Sequence, residues 1–177
     1  MVKLAAGDVL RFPQSDGSDR VCAIGLFARD TTNAVWAVSG PSCATGAGVA
    51  RTADGYAVGE VKVVALRTDP KRSLSVVELS HYVRWSQSAK SISEAIAGAA
   101  VVSHSPHGPV EWWKAEKKSL VWDGDGVAPR MMPGDAGAPV MQGAKLVGIC
   151  DRDQGMAPYD EILDVLAQLR SGANLAY

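Results

Sequence analysis

The chain has 177 residues, of which 47% are hydrophobic and 21% are charged, with 18 basic residues against 19 acidic ones. This composition predicts one globular unit with a sizeable apolar core and argues against a disordered chain. A net charge of −1 gives no long-range field to attract a polyanion, and Glu116 interrupts the basic run at residues 114–118, so we expect no nucleic-acid partner.

The sequence contains no run of about 18 apolar residues, the length that a membrane-spanning helix needs. The first residues, Met-Val-Lys-Leu-Ala-Ala-Gly-Asp, lack the apolar core of a secretory signal. We therefore expect a soluble protein, and the sequence assigns it no compartment.

Short segments rich in β-branched residues follow one another and are separated by Gly, Pro, Asp and Ser. This arrangement predicts an all-β barrel or sandwich. The predicted strands occupy residues 9–12, 21–27, 34–38, 56–66, 75–79, 99–103, 119–122, 139–141 and 145–150. Turns are predicted between them at residues 16–18, 53–55, 123–126 and 142–143.

Two segments have helical patterns. The Ser-x-x-Glu pattern of Ser91 and Glu94 predicts a short helix over residues 91–98. A longer amphipathic helix is predicted over residues 159–170. Its shared apolar face consists of Ile162, Val165, Leu166 and Leu169. Small and polar residues at 86–98 also predict a linker between two lobes.

The segment at residues 133–140, Pro-Gly-Asp-Ala-Gly-Ala-Pro-Val, carries the pattern with the most chemical content. A serine nucleophile needs a tight loop that exposes its side chain and aims successive backbone N–H groups at a developing oxyanion. A Gly-Asp-Ser-Gly-x-Pro segment builds such a loop, because its glycines adopt backbone angles that other residues avoid. Here Ala136 stands where the serine belongs.

This loop and the following Leu-Val-Gly-Ile strand at residues 146–149 resemble the chymotrypsin-like serine proteases. The resemblance implies an oxyanion hole formed by the backbone of Gly134, Asp135 and Ala136. It also implies an all-β, two-barrel fold with a C-terminal helix, similar to the small bacterial or viral members of the family. The implied units are a first barrel at residues 1–85, a linker at 86–98, a second barrel at 99–158, and a helix and tail at 159–177.

Two further segments extend the resemblance. The strand that ends before Cys43 is similar to the family's histidine-bearing strand, which places Ser42 at the histidine position. Residues 73–79 look like the strand that follows the family's aspartate, which places Ser73 at the aspartate position. Serine cannot act as an imidazole base, and alanine cannot attack, so the triad Ser42, Ser73 and Ala136 is chemically absent as aligned.

The three cysteines leave two interpretations open. Cys22 and Cys43 are either bonded to each other, as in many family members, or are two buried thiols. No histidine accompanies Cys150, which we expect to be a buried residue rather than a nucleophile. The sequence has no Cys-x-x-Cys pair, so we expect no metal and no cofactor. Adjacent Trp112 and Trp113 predict one indole in the core and one at its rim.

The main functional hypothesis is a catalytically inactive homologue that binds a protein or peptide in a cleft bounded by Ser42, Ser73 and Ala136. A second interpretation is that the loop is retained only because the fold needs it, and the sequence does not choose between them.

The alternative hypothesis is an active serine endopeptidase, such as a viral polyprotein-processing protease, whose nucleophile has been replaced at position 136. Its base would come from a rewired site, for which the sequence suggests His81. Its carboxylate partner would be Asp69, Asp123 or Asp125.

Overall fold

The computed structural model describes residues 1–122, 128–152 and 154–177, and strands make up most of their regular structure. The strands are β1 (Val2–Ala5), β2 (Val9–Pro13), β3 (Asp19–Ala23), β4 (Leu26–Asp30), β5 (Val35–Ser39), β6 (Gly48–Thr52), β7 (Ala57–Ala65), β8 (Ser73–Leu79), β9 (Val83–Ser86), β10 (Ser91–Ile92), β11 (Val101–Ser105), β12 (Gly108–Trp112), β13 (Lys114–Glu116), β14 (Ser119–Val121), β15 (Pro139–Gln142), β16 (Lys145–Cys150), β17 (Met156–Pro158) and β18 (Ala173–Leu175). The helix α1 spans Tyr159–Gln168. The predicted all-β class with a C-terminal helix is confirmed.

The first sheet contains most of the N-terminal half of the chain. Its strand order is β18-β4-β5-β8-β7-β6-β2-β3, and every neighbouring pair is antiparallel. Leu10, Phe12, Ile24 and Phe27 are fully buried and pack in one cluster on this sheet. Alternation of buried and half-buried residues along β2 follows from the period of two in a strand.

The second sheet has the strand order β10-β16-β15-β11-β12, with β17 also paired to β16. Its own cluster contains Val101, Trp112, Val140 and Val147. Trp112 is buried, whereas Trp113 is 52% exposed, which confirms the predicted division between core and rim.

A third apolar cluster joins the two sheets to the helix. Leu26 and Trp36 of the first sheet pack in the same cluster as Leu146 and Ile149 of the second. The helix contributes three of the residues predicted for its apolar face, Ile162, Val165 and Leu166, and the fourth, Leu169, joins the same cluster from the residue just after the helix. Burial of this shared surface fixes the sheets against each other, so loops from both can form a common cleft.

Polar contacts also hold α1 against the first sheet. The buried Glu161 carboxylate accepts bonds from Arg72 Nε at 2.9 Å and Nη2 at 2.8 Å, and this pairing raises the pKa of the Arg72 guanidinium. Burial alone would raise the pKa of the Asp164 carboxyl. Hydrogen bonds from the amides of Arg67 and Thr68 outweigh that effect and lower it.

The predicted helix at residues 91–98 is wrong. Ser91 and Ile92 form β10, which runs parallel to β16, and the amide of Ser93 bonds to the carbonyl of Leu146. Ile92 packs against the cluster that joins the sheets, so tertiary burial overrides the local capping pattern.

Other boundaries differ from the predicted ones. The predicted strand at residues 21–27 is two strands, β3 and β4, because the amide of Gly25 between them bonds to Val38 of β5. The C-terminal tail contributes β18, which the sequence pattern did not indicate. The predicted turn at 123–126 lies outside the described residues, and the predicted domain boundaries stay predictions.

No helix within the described ranges is long and apolar enough to cross a membrane.

Candidate ligand-binding cleft

A cavity of about 930 Å³ opens where loops of the two sheets meet. The first sheet contributes the β2–β3 hairpin, including Arg20, and the segment after β5, including Ser42. The second sheet contributes the loop before β15, including Ala136, and Arg152 after β16. The structure therefore brings two of the predicted site residues, Ser42 and Ala136, to one cavity.

We call residues 132–138 the loop wall of this cleft. Gly134 and Gly137 both have a φ of +93°, in the left-handed region that favours glycine. The carbonyl of Ala136 accepts a bond from the Ala23 amide at 2.7 Å, and the Gly137 amide donates to the Cys150 carbonyl at 2.9 Å. These bonds fix the loop wall to both sheets.

Asp135 organises the loop wall from within. Its buried carboxylate accepts a bond from the Met132 amide at 2.8 Å and lies 2.8 Å from Nδ1 of His107. Its own amide donates to the Met132 carbonyl at 3.0 Å, so this N–H is not available to a ligand. Of the three predicted oxyanion-hole residues, Gly134 and Ala136 have amides with no intramolecular partner among the residues that the structure describes.

We call residues 40–45 the serine wall. The Ser42 carbonyl accepts a bond from the Arg20 guanidinium, and its hydroxyl oxygen accepts one from Arg152 Nε at 3.3 Å. The hydroxyl also lies 3.5 Å from an Asp151 carboxylate oxygen. Ser42 is therefore held among charged groups, and none of them is an imidazole.

A disulfide bond ties the serine wall to the first sheet. Cys22 at the end of β3 is bonded to Cys43, with a Cα–Cα distance of 5.9 Å. Of the two interpretations that the sequence left open, the structure contains the bonded one. The bond joins the residue after Ser42 to the strand that also anchors Ala136 through Ala23.

Ser73 does not line the cavity. It lies at the start of β8, opposite Ala65 of β7. The β8 residue that contacts the serine wall is the fully buried Ser75, whose hydroxyl accepts a bond from the Ala44 amide at 2.9 Å. The sequence pattern did not single out Ser75. Side chains two residues apart on a strand point to the same face, so Ser75 shares a face of β8 with Ser73.

None of the three histidines of the chain is among the residues that line the cleft, although His107 bonds to Asp135 of the loop wall. His81 follows β8, His104 belongs to β11, and His107 lies in the turn after it, and all three are exposed. No hydrogen bond or ion pair within the described residues joins His81 to Asp69. The other two proposed partners, Asp123 and Asp125, lie outside the described residues.

Cys150 lies beneath the loop wall and is not suited to act as a nucleophile. It is 3% exposed, and burial, together with the charges of Asp135 and Asp151, raises the pKa of its thiol to about 12. The thiol is therefore protonated at neutral pH. Within residues 1–122, 128–152 and 154–177, no three His, Cys, Asp or Glu side chains are grouped as metal ligands.

No protein-family model matches the sequence, and no curated protein matches it. Solved structures do match. A glutamic acid specific serine protease, described as using a histidine triad in substrate binding, is 16% identical with a TM-score of 0.65, over 90% of this chain and 95% of that one. Thermobifida fusca protease A is 14% identical with a TM-score of 0.68, over 99% of each chain.

An α-lytic protease homologue, N4, is 17% identical with a TM-score of 0.58, over 94% of this chain and 96% of the other. Sequence identities this low carry information about the fold alone. The match extends over nearly the whole of each chain, and it agrees with the two sheets and the C-terminal helix described above. The chain therefore has the all-β, two-barrel fold of the chymotrypsin-like serine proteases.

Proposed function

We propose that this protein is a catalytically inactive homologue of the chymotrypsin-like proteases that binds a peptide segment in the cleft between its two sheets. One observation carries the proposal. Ala136 and Ser42 face a cavity whose lining contains no histidine, while the amides of Gly134 and Ala136 keep no internal partner within the described residues. The cleft thus offers hydrogen-bond donors to a ligand without an imidazole base and without a serine at position 136.

The shape of the cleft supports a peptide as the ligand. A volume of about 930 Å³ exceeds that of a single side chain, and residues of the β2–β3 hairpin line part of the cavity. Met132 of the loop wall and the preceding Met131 give the cleft an apolar surface, and Met132 is 53% exposed. Flexible methionine side chains adapt to different apolar partners. Backbone amides beside such a surface match the alternating polar and apolar groups of an extended peptide.

The absence of catalysis is tested with the natural chain and the Ala136→Ser variant. Both are treated with a fluorophosphonate probe and assayed against casein. We expect no labelling and no hydrolysis in either protein, because a serine at position 136 still has no imidazole to take its proton. Labelling or hydrolysis by Ala136→Ser would replace this proposal with the alternative, an active endopeptidase whose nucleophile has been replaced.

Binding is tested by NMR with a pool of short, degenerate peptides. We expect concentration-dependent shifts at the amides of Gly134 and Ala136. A second cavity of about 730 Å³, lined by Tyr56 and Tyr82, serves as the internal control. Shifts confined to that cavity, or no shifts at all, would contradict a peptide site in the cleft.

A further inference from the structure

We propose that the cleft selects its peptide through a carboxylate group, which the guanidinium groups of Arg20 and Arg152 bind beside the amides of Gly134 and Ala136. This inference rests on the proposed function, since it names the chemistry of the ligand for the same cleft. The carboxylate is either the C-terminus of a peptide or an Asp or Glu side chain.

The two arginines come from opposite sheets and converge on one residue. Arg20 in β3 bonds to the carbonyl of Ser42, and Arg152 after β16 bonds to its hydroxyl. Both side chains line the cavity. Each of these bonds uses one of the five N–H donors of a guanidinium, so each arginine keeps further donors for a ligand. Their anchoring on Ser42 limits the side-chain freedom that a ligand would otherwise have to restrict.

Neither guanidinium has a carboxylate within 4.0 Å among the residues that the structure describes. The cavity has two acidic residues in its lining, and both are occupied elsewhere. Asp19 forms an ion pair with Arg11 at 2.9 Å. The Asp16 carboxylate accepts bonds from the amide and the hydroxyl of Ser18. These bonds are the main cause of the lowered pKa of Asp16, and the positive charge of Arg20 is a smaller cause.

The loop wall completes the site with neutral donors. Gly134 and Ala136, whose amides have no intramolecular partner among the described residues, line the same cavity as Arg20 and Arg152. Two like charges around one space repel each other, so an anion between them is favoured. A carboxylate is planar and accepts paired bonds from a guanidinium fork, which makes it a better match than a neutral carbonyl.

The first test measures binding of labelled short peptides by fluorescence anisotropy. One pool has a C-terminal amide and no acidic residue, a second has the same composition with a free C-terminal carboxylate, and a third has the amide and one internal Glu. We expect the second or the third pool to bind about tenfold more tightly than the first. The pool that binds more tightly identifies whether the carboxylate comes from a C-terminus or from a side chain.

Equal binding of all three pools would overturn this inference and leave the proposed function standing. Absence of binding by every pool would overturn both.

Matched variants test whether the arginines cause the gain. Arg20→Gln and Arg152→Gln should each remove most of the tenfold preference, measured as the ratio between the affinities of the carboxylate pool and the neutral pool for the same variant. Arg51→Gln is the control, because Arg51 is exposed on β6, makes only a local bond to the Gly55 carbonyl and does not line the cleft. A preference that survives in Arg20→Gln and Arg152→Gln would overturn the assignment.

A second measurement needs no variant. Sodium acetate is titrated into the natural protein and followed by NMR, with acetamide as the neutral analogue and sodium chloride at equal ionic strength. We expect saturable shifts of the Gly134 and Ala136 amides with acetate alone. Identical responses to acetate and chloride would contradict a carboxylate site, because they would indicate general screening.

Discussion

The two walls of the cleft are built by different means. In the loop wall, residues 132–138, the structure depends on backbone: two left-handed glycines, amide bonds to Ala23 and Cys150, and one buried carboxylate at Asp135. In the serine wall, residues 40–45, Ser42 is held by charged side chains, Arg20 and Arg152, that reach it from neighbouring elements. The loop wall is fixed by backbone bonds that form as the two sheets fold, whereas the charges of Arg20 and Arg152 at the serine wall are not required by the fold.

This difference explains why the loop wall alone is weak evidence of chemistry. A Gly-Asp-x-Gly turn that bonds to both sheets would be retained for stability even without a nucleophile. Exposed arginines contribute little to stability, so the proposed ligand site depends on the positions of Arg20 and Arg152 around Ser42 and not on their packing. The comparison can be tested by changing one wall at a time.

The largest effect is expected at Gly137. A methyl group there would overlap the Ala23 carbonyl and the Ser39 hydroxyl, and the backbone is left-handed. We expect Gly137→Ala to lower the free energy of unfolding by about 3 kcal/mol or more, measured by urea denaturation.

Gly143→Ala is the matched control, because Gly143 is also left-handed but has open space around it. Its cost should be only about 1–2 kcal/mol. Equal costs for the two variants would mean that the loop wall is not tightly fixed.

An intermediate effect is expected at Ser75, which supports the serine wall. Ser75→Ala leaves the buried Ala44 amide without its partner, so we expect a loss of about 1–3 kcal/mol in urea denaturation. Ser73→Ala, two residues earlier on the same strand, should change stability by less than about 0.5 kcal/mol. The reverse order would show that Ser73 is the residue supporting Ser42.

The smallest effect is expected at Cys150. Its thiol has a pKa raised to about 12, so it stays protonated, and the folded protein should not react with a disulfide reagent between about pH 7 and about pH 9. After unfolding without reductant, one thiol per chain should react. A native reaction that accelerates with pH would mean that the base of the loop wall is open to solvent.

The loop wall could be predicted in detail from sequence because its structure depends on local residue types. Gly134 and Gly137 adopt the left-handed angles that their positions in the segment suggested. The C-terminal helix was equally predictable, since Ile162, Val165, Leu166 and Leu169 repeat at helical spacing and all become buried.

The serine wall could not be predicted in the same way, because its contacts join residues far apart in the chain. Nothing in the local pattern around Ser42 indicates that Arg20 and Arg152 meet there, 22 and 110 residues away in sequence. The same limit explains the wrong helix at residues 91–98, where pairing with β16 decides the structure. Local patterns predict turns and faces, and long-range pairing decides which side chains become neighbours.

The pairing of β18 with β4 has a consequence for how the protein is made. Ala173–Leu175 completes the edge of a sheet whose other strands all lie between residues 9 and 79, and Leu175 and Ala176 are buried when it does so. During synthesis, the backbone edge of β4 stays unpaired until these late residues leave the ribosome. The first sheet can therefore be completed only after residues 173–175 have been synthesised, and until then its β4 edge is a surface on which other strands could pair.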